Sequence, residues 1–154
     1  MKVGYALILI LLIFNGSFTA SGQTYYKLKE ALHLSKDSVY FLKVSRKKLT
    51  QIPPVVFTFK NLKGLDLSRN RLASISPKIL ELSELEKLNL SRNRFEIFPK
   101  EPSRLENLRV LILGSNKLGY IPNHIAKYPK LEELDMYDNP IGDLGDGIFL
   151  IKSL

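Results

Sequence analysis

The chain has 154 residues and contains no cysteine, no tryptophan, and only two histidines and two methionines. Without cysteine there is no disulfide framework, no thiolate zinc site, no thiol nucleophile and no acylated anchor of the lipoprotein kind. Two histidines, His33 and His124, are too few for a histidine-rich metal centre, so neither metal nor cofactor is expected. Acidic residues are also scarce: 15 stand against 23 basic ones, for a formal charge of +8, which favours acidic partners or anionic surfaces and says nothing about fold. A 45% hydrophobic content with 25% charged residues excludes intrinsic disorder. Long apolar runs are missing too. The longest, residues 6–14, is nine residues, far short of the ~20 needed to span a bilayer as a helix.

That short run has a recognisable setting. Lys2 supplies a positive start, residues 6–14 form the apolar stretch, and residues 15–22 are small and mostly polar. This is the order of a secretory signal peptide. Cleavage after Gly22 places Ala20 and Gly22 at the small-residue positions; cleavage after Ser21 would use Thr19 and Ser21. The first site is preferred, giving a leader over 1–22 and a secreted, extracytoplasmic protein. Retention of the segment as an N-terminal anchor is the alternative. Lys2 leaves with the leader, so the mature charge is 22 − 15 = +7.

The remainder repeats. Leucine fills 28 positions, and they are not scattered. Leu62, Leu85, Leu108 and Leu131 are spaced by 23, with Val39 one step earlier. Each opens the same pattern. One copy reads Leu62, Leu65, Leu67, Asn70, Leu72, Ile75; the next reads Leu85, Leu88, Leu90, Asn93, Phe95, Phe98. Leu108, Leu111, Leu113, Asn116, Leu118 and Ile121 follow, then Leu131, Leu134, Met136, Asn139, Ile141 and Leu144. The first copy has Lys47 where the others have Asn. A fixed period of this length is the signature of a solenoid, so repeats are assigned to 39–61, 62–84, 85–107, 108–130 and 131–153.

On these residues the chain resembles the leucine-rich repeat proteins, of the 23-residue type that carries Leu/Ile-Pro after the Asn segment. Pro53, Pro99 and Pro122 match that proline, whereas Ser76 and Gly145 depart from it. With its leader and short length, it also resembles small secreted bacterial members. The resemblance implies an α/β solenoid: a curved right-handed coil with a parallel β-sheet on the concave face and short helical or 3-10 turns on the convex face. Residue alternation in Leu65-x-Leu67 agrees, since alternate side chains of a strand point to opposite faces. Asn70, Asn93, Asn116 and Asn139 form a structural ladder, because a buried amide needs partners for both its oxygen and its NH₂. Pro102 is expected to shorten the convex turn of the third repeat.

The ends are read differently. Leu28, Ala31, Leu32 and Ser35 have helical spacing and Thr24 is a candidate N-cap, so residues 23–38 are expected to form an amphipathic helix capping the first repeat. No C-terminal cap is evident after residue 131. That implies an exposed end open to end-to-end self-association, or a fragment of a longer protein of the same family.

Function is expected to lie on the strand face. The positions between core leucines offer Phe41, Lys43, Asp66, Lys87, Asn89, Val110, Ile112, Glu133, Asp135 and Tyr137 as partner contacts, with Val110, Ile112 and Tyr137 as apolar anchors. A basic edge runs through Arg46, Arg69 and Arg92, then Lys48, Arg71, Arg94 and Lys117. No G-x-S-x-G, H-E-x-x-H or phosphate-cradling glycine loop is present, and no catalytic residue is assigned. The reading is a non-enzymatic protein- or peptide-binding module. An anionic glycan or lipid headgroup on the basic edge is the alternative, and nucleic acid is disfavoured by export. N-terminal sequencing of the exported protein should begin at Gln23; a chain that keeps Met1 or Lys2 would establish the anchor instead.

Overall fold

A computed structural model of the protein describes residues 23–144 together with Ile10–Leu12. Residues 1–9 and 13–22, within the expected leader, and those from residue 145 on, within the fifth repeat, lie outside the described residues. In chain order the elements are β1 (Ile10–Leu12), β2 (Tyr26–Lys27), the one-turn helix α1 (Leu28–Ala31), β3 (Phe41–Lys43), β4 (Gly64–Asp66), β5 (Lys87–Asn89) and β6 (Val110–Ile112). They are followed by β7 (Tyr120–Ile121), β8 (Glu133–Asp135) and β9 (Asp143–Leu144).

Each repeat contributes one strand to an open sheet ordered β1-β8-β6-β5-β4-β3-β2. The six strands from β8 to β2 are parallel. From β3 to β8 the register advances by one full repeat at each step, so that Leu42, Leu65, Leu88, Leu111 and Leu134 form one column. The first four of these are 0% exposed and Leu134 is 2% exposed, within one continuous core. Burying each such leucine contributes about 1.5–3 kcal/mol. On the convex side the chain returns through 3-10 turns at Pro54–Thr58, Pro77–Glu81, Glu101–Arg104 and Asn123–Lys127. The turn that contains Pro102 is the four-residue one; the other three have five. Beyond the asparagines, β7 and β9 pair parallel in a separate two-stranded sheet.

The asparagines join the repeats. The Asn116 amide donates to Leu90 O (3.1 Å) in the preceding repeat and to Leu113 O (2.7 Å) in its own, while its Oδ1 accepts the Phe95 N–H at 3.1 Å. Asn93 repeats this with Leu67 O, Leu90 O and the Leu72 N–H, and Asn139 with Leu113 O, Met136 O and the Leu118 N–H. Asn70 takes two N–H groups, from Lys47 and Leu49. The residue before each position of this ladder is left-handed: Arg46, Arg69, Arg92, Ser115 and Asp138 have φ between 54° and 58°. That backbone bend ends the strand and turns the amide inward. It recurs in every repeat although none of these residues is glycine, and non-glycine residues rarely adopt it.

The N-terminal cap differs from the helix expected over 23–38. Only Leu28–Ala31 is α-helical, a 3-10 turn follows at Lys36–Ser38, and Tyr26–Lys27 is extended. Ala31 is buried and Leu28 packs on the core, but Leu32 is 53% exposed. The helix starts at Lys27 rather than Thr24, with the Glu30 carboxylate accepting the Lys27 N–H at 3.0 Å. The physical reason is the edge of the sheet. A helix begun at Thr24 would leave the backbone of β3 unpaired on its outer side, whereas β2 pairs it in parallel. At the other end the outer edge of β8 is also occupied, by β1 lying antiparallel with Leu11 opposite Leu134.

Asn116→Ala would leave the Phe95 N–H of a buried turn without its partner and take one of two amide donors from the Leu90 and Leu113 carbonyls, which keep those of Asn93 and Asn139. It should destabilise the protein by about 1–3 kcal/mol in urea denaturation, and a loss below ~0.5 kcal/mol would show that water replaces the amide.

Candidate binding surface

The outward positions of the parallel strands stand in columns that follow from the register. One column is Phe41, Gly64, Lys87, Val110, Glu133, and the next is Lys43, Asp66, Asn89, Ile112, Asp135. The second column is held from within. Asp66 Oδ1 accepts the Ser68 N–H at 2.9 Å, Asn89 Oδ1 accepts the Ser91 N–H at 3.0 Å and its hydroxyl at 2.8 Å, and Asp135 Oδ1 accepts the Tyr137 N–H at 2.9 Å. These bonds two residues ahead are Asx-type turns. They fix the side chains before any ligand arrives.

The apolar positions differ in exposure. Tyr137 is 55% exposed, and Ile112 and Phe41 are half-buried. Val110 does not offer the exposed anchor expected of it, being only 4% exposed. Its short side chain lies between the longer Lys87 and Glu133 of the flanking strands. Phe41 leans over Gly64 with Tyr25, their ring centroids 5.3 Å apart. A Cβ at residue 64 would lie 2.6 Å from Phe41 Cδ1 and 2.7 Å from the Tyr25 hydroxyl, so glycine there makes room for the aromatic pair. Burial, and secondarily the Asp66 carboxylate, raise the Tyr25 phenol above its ordinary value. Tyr25 had no sequence signal, because it precedes the repeats and reaches the sheet only through β2.

Charge is organised by column. At the second position of repeats two to five, signs alternate and pair: Lys63 Nζ lies 3.3 Å from Glu86, and Arg109 makes a two-point bridge to Glu132 at 2.6 and 3.0 Å. The hydrogen bond to Glu132 raises the Arg109 guanidinium above its usual value. The column that ends the strands is different. Arg46, Arg69 and Arg92 follow one another with one sign, and among the described residues none of their side chains has a hydrogen-bond or ion-pair partner. Repulsion from Arg46, then from Arg92, lowers the Arg69 guanidinium. The three border an open depression of about 510 Å³, together with Ser45, Ser68, Ser91, Lys43, Asp66 and Asn89. Within it Lys43 and Asp66 approach to 3.6 Å.

The remaining basic-edge residues lie outside this depression. Lys48, Arg71 and Arg94 are exposed, and Lys117 reaches Glu96 at 3.4 Å. In the fifth repeat the outward positions are acidic, at Glu133, Asp135 and Asp138, and the last of these continues the column of Arg46, Arg69 and Arg92. His124 lies in the convex 3-10 turn with its ring 5.7 Å from that of Phe98, and His33 follows α1, so neither stands on the strand face. Among the described residues, no group of three or more His, Asp or Glu side chains is placed to hold a metal ion.

A family model described as "Leucine rich repeat" matches residues 37–95 and again 83–141. Among solved structures, a leucine-rich repeat protein of Leptospira interrogans superposes with a TM-score of 0.78 at 34% identity, covering 86% of this chain and 34% of that one. Internalin C2 of Listeria monocytogenes gives a TM-score of 0.64 at 23% identity, covering 77% of this chain and 50% of its own. TLR13, solved as a complex with ssRNA13, gives 0.68 at 23% identity, covering 84% of this chain and 18% of its own. The last two show likeness of fold alone, and the chain spans no more than half the length of any of the three. None of the curated proteins compared with the chain matches it.

The raised Tyr25 value has a defined consequence for stability. Between its unfolded value near 10 and its higher folded value, the unfolded state loses the proton first. Stability that is fully present below pH ~10 is therefore lost as pH rises through the folded value. Tyr25→Phe should remove this alkaline component from the difference between the two proteins' pH–stability curves, in which the other tyrosines cancel. Curves that stay parallel above pH 10 would contradict it.

Proposed function

The chain belongs to the leucine-rich repeat family, and on that premise we propose that it is an exported, non-enzymatic module that binds a protein or peptide through its concave strand face. This fold commonly serves protein–protein interaction, though fold alone does not select a ligand. The observation that carries the reading is the register of the sheet. Leucines of the strands repeat on one side while the residues between them differ from strand to strand on the other, at spacings set by the backbone at ~4.8 Å. A rigid frame with differing side chains supports recognition with little ordering cost on binding.

What supports the non-enzymatic part is the placement of titratable groups. The carboxylates of the second column are engaged by their own backbone, and both histidines are away from the face. Export rests on the leader-like residues 1–22.

The test places a photo-cross-linking side chain at Ile112 or Tyr137 on the strand face, and at the exposed convex residues Lys78 or Glu106. Irradiated with the extracytoplasmic fraction of producing cells, the first pair should give discrete protein adducts and the second pair none. Adducts of equal yield from both faces, or from the convex face alone, would overturn the reading.

A further inference from the structure

We propose that the concave face takes a helical polypeptide segment whose charge changes sign along its length, with its acidic end on Arg46, Arg69 and Arg92. Its basic end would then lie at Glu133 and Asp138. The proposal deepens the reading of the strand face as a protein-binding surface, and rests on it.

The first support is the contrast between two columns of one sheet. At the second position of the repeat, opposite signs alternate and bridge neighbouring repeats. Three successive arginines at the strand ends do the reverse, and they lower the Arg69 guanidinium by mutual repulsion. Their side chains make no bond among the described residues, and the Asp66 carboxylate offsets the repulsion at Arg69 only in part. Carboxylates would relieve the repulsion and could bond two-point to each guanidinium. The Ser45 and Ser68 hydroxyls in the same depression offer further hydrogen bonds.

The second support is spacing. Neighbouring strands lie ~4.8 Å apart, so three arginines in register span ~10 Å. A helix lying along the row presents one side chain per ~5.4 Å turn, and three turns of acids span ~11 Å. Arginine side chains absorb that difference. In an extended segment, same-face residues recur every ~6.7 Å and would cover ~13 Å.

The third support is the reversal of sign. Asp138 continues the arginine column in the fifth repeat, and Glu133 stands in the column of Lys87 and Val110, with exposed Tyr137 between the two in sequence and Ile112 one strand before. A uniform polyanion would gain three contacts and then meet carboxylates. A polypeptide can change sign within one or two helical turns, and can also use Tyr137 and Ile112 as apolar anchors.

The absence of cysteine makes single-site labelling clean. The probe is a synthetic helical peptide with glutamates at i, i+4 and i+7, an apolar centre, a lysine half, and a fluorophore at its acidic end. Acceptor dyes are attached in Lys48→Cys or Gly142→Cys, both exposed. Energy transfer should be greater to residue 48, and Arg69→Glu with Arg92→Glu should weaken binding by about tenfold or more. Adding Glu133→Lys and Asp138→Arg should reverse the preference, with the circular dichroism spectrum unchanged. Equal transfer to both sites, unaltered affinity in the arginine variants, or tighter binding of a sulfated polysaccharide than of the peptide would each overturn the proposal. If strand-face cross-links to the natural partner persist in the arginine variants, only this inference fails. If cross-links do not favour the strand face, the reading beneath it fails.

Discussion

Stacking one short strand on the next leaves a specific problem, which the side-chain amides solve. Each coil turns inward after its strand, and that turn carries carbonyl and N–H groups that no neighbouring strand can reach. Left unpaired in a buried position, each would cost about 1–3 kcal/mol. Asn70, Asn93, Asn116 and Asn139 pair them with one planar group that both donates and accepts. The left-handed residue before each amide aims it. Once this bridge fixes the distance and phase between repeats, the leucine layers close and the sheet register follows. The outward columns are a by-product of that register, so the chemistry of the surface depends on a polar contact in the interior.

Charge on this frame is used in two ways. Lys63–Glu86 and Arg109–Glu132 hold adjacent repeats together, in the manner of cross-strand pairs. Arg46, Arg69 and Arg92 oppose one another on the same frame. Exposed pairs contribute little to stability in either direction, so the frame tolerates a like-charged row. The left-handed backbone that carries these arginines also carries Ser115 and Asp138. The conformation therefore belongs to the repeat, while the choice of side chain is free for other purposes.

The solenoid was legible because a 23-residue period leaves no ambiguity about which residues face inward. The core columns, the ladder positions and the short turn at Pro102 all follow from it. Outside the period the reading was weaker. Leu28, Ala31, Leu32 and Ser35 have helical spacing, yet Tyr26 and Lys27 extend to pair with β3, because an unpaired strand edge outweighs local propensity. The Tyr25–Phe41 pair over Gly64 could not be foreseen, since a contact between segments outside and inside the repeats has no period. Val110 shows a subtler limit. Position in a strand predicts which face a side chain takes, but its exposure there depends on how long its neighbours are.

The asparagine bridges all point one way. Each amide reaches the carbonyl 26 residues before it and the N–H 21 residues before it, and never the repeat that follows. The array is therefore a polar object, like a stack of cups in which each is gripped by the one above. The first repeat, with Lys47 at the ladder position, has no earlier repeat to grip. In the fifth, the Ile141 N–H turns instead to the Asn139 carbonyl. Once β1 has left the outer edge of β8, as cleavage of a leader over 1–22 would require, growth by one more unit at the C-terminal side would satisfy the turn beneath it and leave the upstream bridges unchanged. Loss of a unit from the N-terminal side would strip the next amide of the carbonyl and the N–H that it reaches back for, leaving it only the carbonyls of its own repeat. Variation in repeat number among such arrays is thus expected to be cheap at one end and costly at the other.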